Sequence, residues 1–328
     1  MKILITGAAG CLGSRLVHAL TEIANNTYQD QSHDSLQESA LEVFATDIKE
    51  SPFADTTNFS YQRFDLRSKE FDLWLEKIRP DKVVHLASIL QISKQMTREM
   101  AHEIDVVATK KLLEQSIKLG VEKFIVTTSG AAYGYYPQNK DVITEERATK
   151  GNGDYFYSAH KAEVEAIMAE YREKHPKLKQ VVFRPGAILG PDFHGPVVNL
   201  FQQKMIVGLI GYPGPFNFIW SEDIVDYIIE ALTTDITGEY NIAGDGTLSM
   251  QDIAKRLHKP YLPLPAWLIQ GVLAIAKPLG LSQYGPEQVK FIKYRPVLAN
   301  DKIKKVFSHQ PRYTSQQALD VFLNLNQY

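Results

Sequence analysis

The sequence predicts a doubly wound α/β fold, with a mostly parallel sheet between helices and a smaller C-terminal region. Three observations predict it. Six short apolar strands alternate with helical spacings through the first 185 residues. A glycine-rich turn joins the first strand to the first helix, and a second strand ends on the acid Asp47.

Lys2-Ile3-Leu4-Ile5-Thr6 is an apolar run of the kind that forms a buried parallel strand. Gly7-Ala8-Ala9-Gly10-Cys11-Leu12-Gly13 follows, and Leu12, Leu16, Val17 and Leu20 then recur at helical spacing. A strand, glycine turn and helix in this order bind a pyrophosphate at the helix N-terminus. Gly7 permits the tight turn, Gly10 lets backbone approach phosphate, and Gly13 lets helix and strand pack closely. The Gly-x-x-Gly-x-x-Gly spacing departs from the usual Gly-x-Gly-x-x-Gly, and a glycine triplet also serves as an ordinary turn.

Leu41 to Thr46 reads as the second strand, ending at Asp47. A carboxylate at that tip accepts hydrogen bonds from both adenosine ribose hydroxyls and repels a 2′-phosphate, so Asp47 favours NAD over NADP. It also fits a simple turn cap. The polar insert Asn25 to Ser39, read as an enlarged surface loop, accounts for its distance from the glycines.

Further on, Phe124-Ile125-Val126 is a strand followed by Ser129. Tyr155 to His175 has helical character and carries Tyr157 and Lys161 four residues apart, on one face. A free phenol, with pKa near 10, is only about 0.1% ionised at neutral pH, and a neighbouring cation stabilises the phenolate. The spacing alone equally fits an exposed helix with a solvated lysine. Tyr136 and Lys140 repeat it, but Gly134, Pro137 and Asn139 make that stretch a loop. His85, between Val84 and Leu86, is expected to be buried and hydrogen-bonded, and His160 to lie on the surface.

Taken together, the glycine turn, Asp47, Asp65-Leu66, His85-Leu86-Ala87, the Thr128 to Gly134 segment, Tyr157 to Lys161 and Arg184-Pro185-Gly186 resemble the extended short-chain dehydrogenase/reductase family. That family comprises NAD-dependent epimerases, dehydratases and hydroxysteroid-type dehydrogenases. The resemblance implies a Rossmann-type fold and NAD held by Gly7, Gly10, Cys11, Leu12, Gly13 and Asp47. It further implies that Asp65 and Leu66 contact the adenine and that Ala87 and Ser88 border the cofactor. Ser129 would hold the reacting oxygen, Tyr157 would be the general acid/base, and Lys161 would hold the nicotinamide ribose and lower the phenol's pKa. A homodimer through the helices Glu99 to Leu119 and Tyr155 to His175 is implied in the same way.

The expected organisation is a dinucleotide-binding domain over 1–185, rejoined by 219–243, with 186–218 and 244–328 forming a substrate-binding region. The net charge is only −2, and Lys302-Ile303-Lys304-Lys305 fits a solvated helix face better than a nucleic-acid groove. Cys11 is the only cysteine, which excludes an intramolecular disulfide and a cysteine-rich metal site; no metal is expected. A first strand starting at residue 2 leaves no room for a cleaved signal, so a cytoplasmic enzyme is expected. Ala266 to Ala276 is too short to span a bilayer and reads as a buried helix or pocket wall, without stable membrane insertion.

Substrate choice turns on a few positions. Nucleotide-sugar members commonly carry an asparagine where this chain has Ala187, and an arginine where it has Phe216, leaving Arg295 as a candidate cation. Phe193, Phe201, Tyr212, Phe216, Phe218 and Trp267 instead suggest an apolar pocket. The leading expectation is therefore an NAD-dependent oxidoreductase interconverting an alcohol and a ketone on a moderately apolar small molecule. A nucleotide-sugar epimerase/dehydratase is the alternative, and a non-catalytic NAD-binding regulator the third reading.

Overall fold

The computed structural model describes every residue except 31–40, 94, 140, 283–284 and 327–328. Runs of β-branched and aliphatic residues form β1 (Lys2–Thr6), β2 (Glu42–Asp47), β3 (Phe59–Arg63), β4 (Lys82–His85), β5 (Lys123–Thr127) and β6 (Lys179–Pro185). Short strands β7 (Ala187–Leu189), β8 (Ile206–Leu209), β9 (Phe218–Trp220), β10 (Gly238–Ile242) and β11 (Tyr261–Leu264) follow. The helices are α1 (Cys11–Asp30), α2 (Lys69–Ile78), α3 (Arg98–His102), α4 (Ala108–Leu119), α5 (Phe156–Lys174) and α6 (Pro196–Phe201). They continue with α7 (Ser221–Thr233), α8 (Met250–Arg256), α9 (Ala266–Ala276), α10 (Val289–Lys293), α11 (Asp301–Val306) and α12 (Ser315–Leu325).

The main sheet has seven strands in the order β10-β6-β5-β4-β1-β2-β3, and the pairings from β3 to β6 are parallel. Ala45, Ile5, Val84, Ile125 and Val181 lie side by side across it and are all fully buried. Burial on both faces is why these strands read as continuous apolar runs. The chain winds outward from β1 to β3, then crosses to β4 and winds the other way. The reversal between β1 and β4 is the crevice position where doubly wound sheets take ligands, at the carboxyl ends of the strands. The doubly wound, Rossmann-type expectation holds.

Two compact units divide the chain. The first comprises residues 1–128, 163–183 and 224–239, and its core includes Leu4, Phe71, Leu75, Leu112, Phe124 and Met168. The second comprises residues 129–162, 184–223 and 240–328, with Phe201, Phe218, Trp220, Ile253 and Phe322 in its core. By compactness, residues 129–162 group with the second unit.

Some expectations needed correction. Residues 25–30 continue α1 and are not loop, because no glycine or proline interrupts that polar stretch; the rest of the insert, 31–39, lies outside the described residues. The spacing over Ile219 to Leu232 predicts a helix, but Phe218–Trp220 is a strand paired with β7, and the helix begins at Ser221, with Glu222 and Asp223 in its first turn. The predicted helix 99–119 contains a π-helical segment, Glu103–Val107, between α3 and α4. Helical spacing predicts an inward stripe of Ala318, Val321, Phe322 and Leu325, but in α12 the buried apolar residues are Ala318, Leu319, Phe322 and Leu323, while Leu325 is exposed.

Candidate active site

In the first unit, β1 delivers the chain into the glycine turn with Gly7 at φ 72°. A Cβ there would lie 2.5 Å from the Ala87 amide nitrogen, so Gly7 serves the turn and also lets it touch the end of β4. At Gly13 a Cβ would meet the Gly7 carbonyl oxygen at 2.1 Å, which is the close helix–strand approach expected of it. Gly10 is less confined, with only the Gly7 oxygen near, at 3.2 Å. Cys11 and Leu12 open α1, a 20-residue helix with no acid in its first turn. Its N-terminal amides and dipole are therefore not neutralised by a carboxylate of that turn.

Asp47, at the tip of β2, accepts a hydrogen bond from the Ala9 amide at 3.1 Å and one from the Lys49 amide at 3.1 Å. The second strand's acid is thus tied to the glycine turn. Asp65 is engaged by Arg67 (Oδ2 to Nη2, 2.6 Å), which holds its carboxyl below the usual carboxylate range. Leu66 packs partly into the first core. After β4, Ala87 backs the glycine turn, and Ser88 is held by Asp105. That carboxylate accepts from Ser88 Oγ at 3.2 Å and from the Ile89 amide at 2.7 Å. Asp105 lies in the π-helical segment, and sequence reasoning missed it. His85 is buried between Thr6 (2.7 Å) and Thr109 (2.7 Å), as expected.

In the second unit, Ser129 caps the short helical turn Gly130–Tyr133, its Oγ accepting from the Ala131 amide at 3.1 Å. Three bonds tie this turn to the start of α5. Ser158 Oγ donates to the Ala131 oxygen (2.6 Å), the Gly151 amide to the Ala132 oxygen (2.9 Å), and the Tyr135 amide to Asn152 Oδ1 (2.8 Å). Tyr157 packs against the cluster of Ala131, Tyr135 and Phe291. Lys161 is buried, with Nζ 5.6 Å from the centre of the Tyr157 ring, so the phenol and ammonium share a face of α5 as their spacing requires. Tyr133 and Arg184 lock the scaffold: Arg184 Nη1 donates to Tyr133 Oη (2.8 Å), which donates to Asn241 Oδ1 (2.8 Å).

Several other residues lie elsewhere than expected. His160 is buried, not on the surface, because α5 is enclosed on more than one side; Ser158, Lys161, Val164 and Glu165 are buried as well. Phe201, Phe216 and Phe218 are buried among other apolar side chains. They are hydrophobic core, with Phe216 and Phe218 stacked at 5.6 Å and Phe193 packed against them. Trp267 is 71% exposed, and α9 has no buried residue. Tyr136 lies in a non-helical stretch, while Lys140 falls outside the described residues.

Arg295 gains weight instead. Its guanidinium lies 3.8 Å from the centre of the Phe216 ring, at the position where the sequence offered no cation. Nε is closed off from solvent with no hydrogen-bond partner, and burial pushes the group's pKa below the usual guanidinium value. Among the described residues no carboxylate forms an ion pair with it.

Fold and turn geometry define a parallel α/β protein of dinucleotide-binding type. The chain belongs to the NAD dependent epimerase/dehydratase family, whose model matches residues 3–243. It is 26% identical to a mouse dTDP-D-glucose 4,6-dehydratase over 78% of this chain and 72% of that one. It is 25% identical to sterol demethylase protein B of Methylococcus capsulatus, over 85% of this chain and 82% of that one. Its fold matches the UDP-glucose 4-epimerase of Thermotoga maritima, solved with UDP-glucose. That match has a TM-score of 0.73 and 19% identity, and covers 100% of this chain and 99% of that one.

Proposed function

We propose that this chain is an NAD-dependent epimerase or dehydratase acting on a nucleotide-sugar. Arg295 carries the substrate half of the reading. A guanidinium whose Nε is closed off from water, with no acid beside it, costs stability unless a ligand supplies the anion, and a diphosphate accepts the guanidinium fork in bidentate fashion. The names of the mouse and Thermotoga relatives support the same class.

The residues present fit the cofactor. The acid-free N-terminus of α1 suits a pyrophosphate, and Asp47, although bonded to two amides, retains lone pairs for ribose hydroxyls. Bound there, NAD supplies a reversible hydride acceptor. Tyr157 exchanges the proton of the substrate hydroxyl while the Lys161 charge stabilises its phenolate. Ser129 already accepts from Ala131, which leaves its hydroxyl hydrogen to donate to the reacting oxygen. Calorimetry is expected to show NAD binding about tenfold or more tighter than NADP, with Asp47→Ala narrowing the gap. Equal affinities in the unmodified protein would overturn the ribose assignment.

The substrate test uses UDP and dTDP as probes. Both should bind, and Arg295→Met should weaken them roughly ten- to a hundredfold, the loss of a hydrogen bond to a charged group. The same variant should melt no lower than the parent, because it removes a charge with a buried, unsatisfied Nε and keeps an apolar side chain over Phe216. Failure of either nucleotide to bind the parent would sink the proposal. A second reading, net alcohol–ketone oxidoreduction, is favoured by Ala187, which stands where nucleotide-sugar members commonly carry asparagine. It predicts one NADH per turnover, whereas the epimerase or dehydratase reading predicts no net change in cofactor oxidation state.

A further inference from the structure

A helix that is apolar on every side belongs inside a protein or a membrane, yet α9 has no buried residue. Trp267, Val272 and Ile275 are 71, 57 and 66% exposed, and Leu279 and Leu281 just beyond are 65 and 79% exposed. A continuous apolar patch of this kind marks an interaction surface. No helix among the described residues is long and apolar enough to cross a membrane, and α9, at 11 residues, is about 16 Å long, roughly half a hydrocarbon core.

The charges around the patch choose its partner. Residues 260–276 carry no charge at all, and the nearest charge on either side is a lysine, Lys259 or Lys277. Between Asp252 and Asp301 the chain has seven lysines and arginines against a single acid, Glu287, which is paired with Lys277 at 2.6 Å. Helix α9 packs on the turn Pro286–Gln288 and on α10, which adds Lys293 and also Lys290, the latter paired with Asp154. Self-association through this patch would bring two copies of the same net-positive rim together, since a two-fold interface uses one patch twice. A layer of anionic headgroups meets them with opposite charge.

We propose that α9 and the Leu279 to Leu281 stretch lie in the surface plane of an anionic phospholipid bilayer. Trp267 sits at the headgroup level and Lys277 reaches to the phosphates with its stem on the acyl boundary. This surface is independent of the substrate reading above.

The test is flotation of the full-length protein with vesicles of phosphatidylcholine alone or with about 30% phosphatidylglycerol. Binding should be at least about tenfold stronger to the anionic vesicles and weaken in high salt. Tryptophan emission should shift to the blue on their addition, and Trp267→Phe should abolish the shift while Trp74 and Trp220 remain. Trp267→Glu with Ile275→Glu should keep the melting temperature and lose flotation. Equal or absent binding to both vesicle types would overturn the proposal. So would a concentration-dependent dimer, without vesicle binding, that the same double substitution dissociates.

Discussion

Tyr157→Phe is expected to lower turnover by roughly two to four orders of magnitude, the usual worth of a positioned general acid/base. The change removes one oxygen and keeps the partly buried ring that packs against Ala131, Tyr135 and Phe291. Melting temperature and NAD affinity should therefore stay close to those of the parent, which separates chemistry from folding. Ser129→Ala would be a poorer probe. Its hydroxyl caps the turn at Ala131, so the substitution costs about 0.5–2 kcal/mol of stability besides any chemical effect. Lys161→Met should lower turnover too, since the Tyr157 phenolate would lose the charge 5.6 Å from its ring. If Tyr157→Phe kept more than about a tenth of parental turnover, the phenol would not be the proton-transfer group.

The parts legible in the sequence are those fixed by local rules. An apolar run followed by glycines announces β1 and its turn, and the i, i+4 spacing places Lys161 beside Tyr157 whatever the rest of the fold does. Misread parts depended on which distant segments meet. Aromatics following Arg184 look the same in a row whether they line a pocket or fill a core, and only tertiary packing decided for the core. The cation sought at position 216 was absent from that segment because Arg295 arrives from another. Asp105 is one acid among many until the π-helical segment presents it to Ser88 and the Ile89 amide. His160 is buried because α5 is covered on more sides than one helical stripe suggests.

Two glycine-to-alanine substitutions in helices should move stability in opposite directions. Helix propensity alone favours alanine over glycine by about 0.8–1 kcal/mol. At Gly271, in α9, a Cβ meets nothing within 4 Å, so Gly271→Ala should show that gain as a higher denaturation midpoint. At Gly13 the same atom would stand 2.1 Å from the Gly7 oxygen and 2.8 Å from the Ala8 Cα. Both obstacles are backbone, in the turn that joins β1 to α1, and neither can swing aside as a side chain would. Relief requires α1 to move off the sheet, and overpacking of this kind costs about 1–3 kcal/mol, which outweighs the propensity gain. Gly13→Ala should therefore lower the midpoint and, by displacing the N-terminus of α1, weaken NAD binding more than a stability loss alone explains. A Gly13→Ala protein as stable as the parent would mean that helix and strand do not pack as closely as this turn requires.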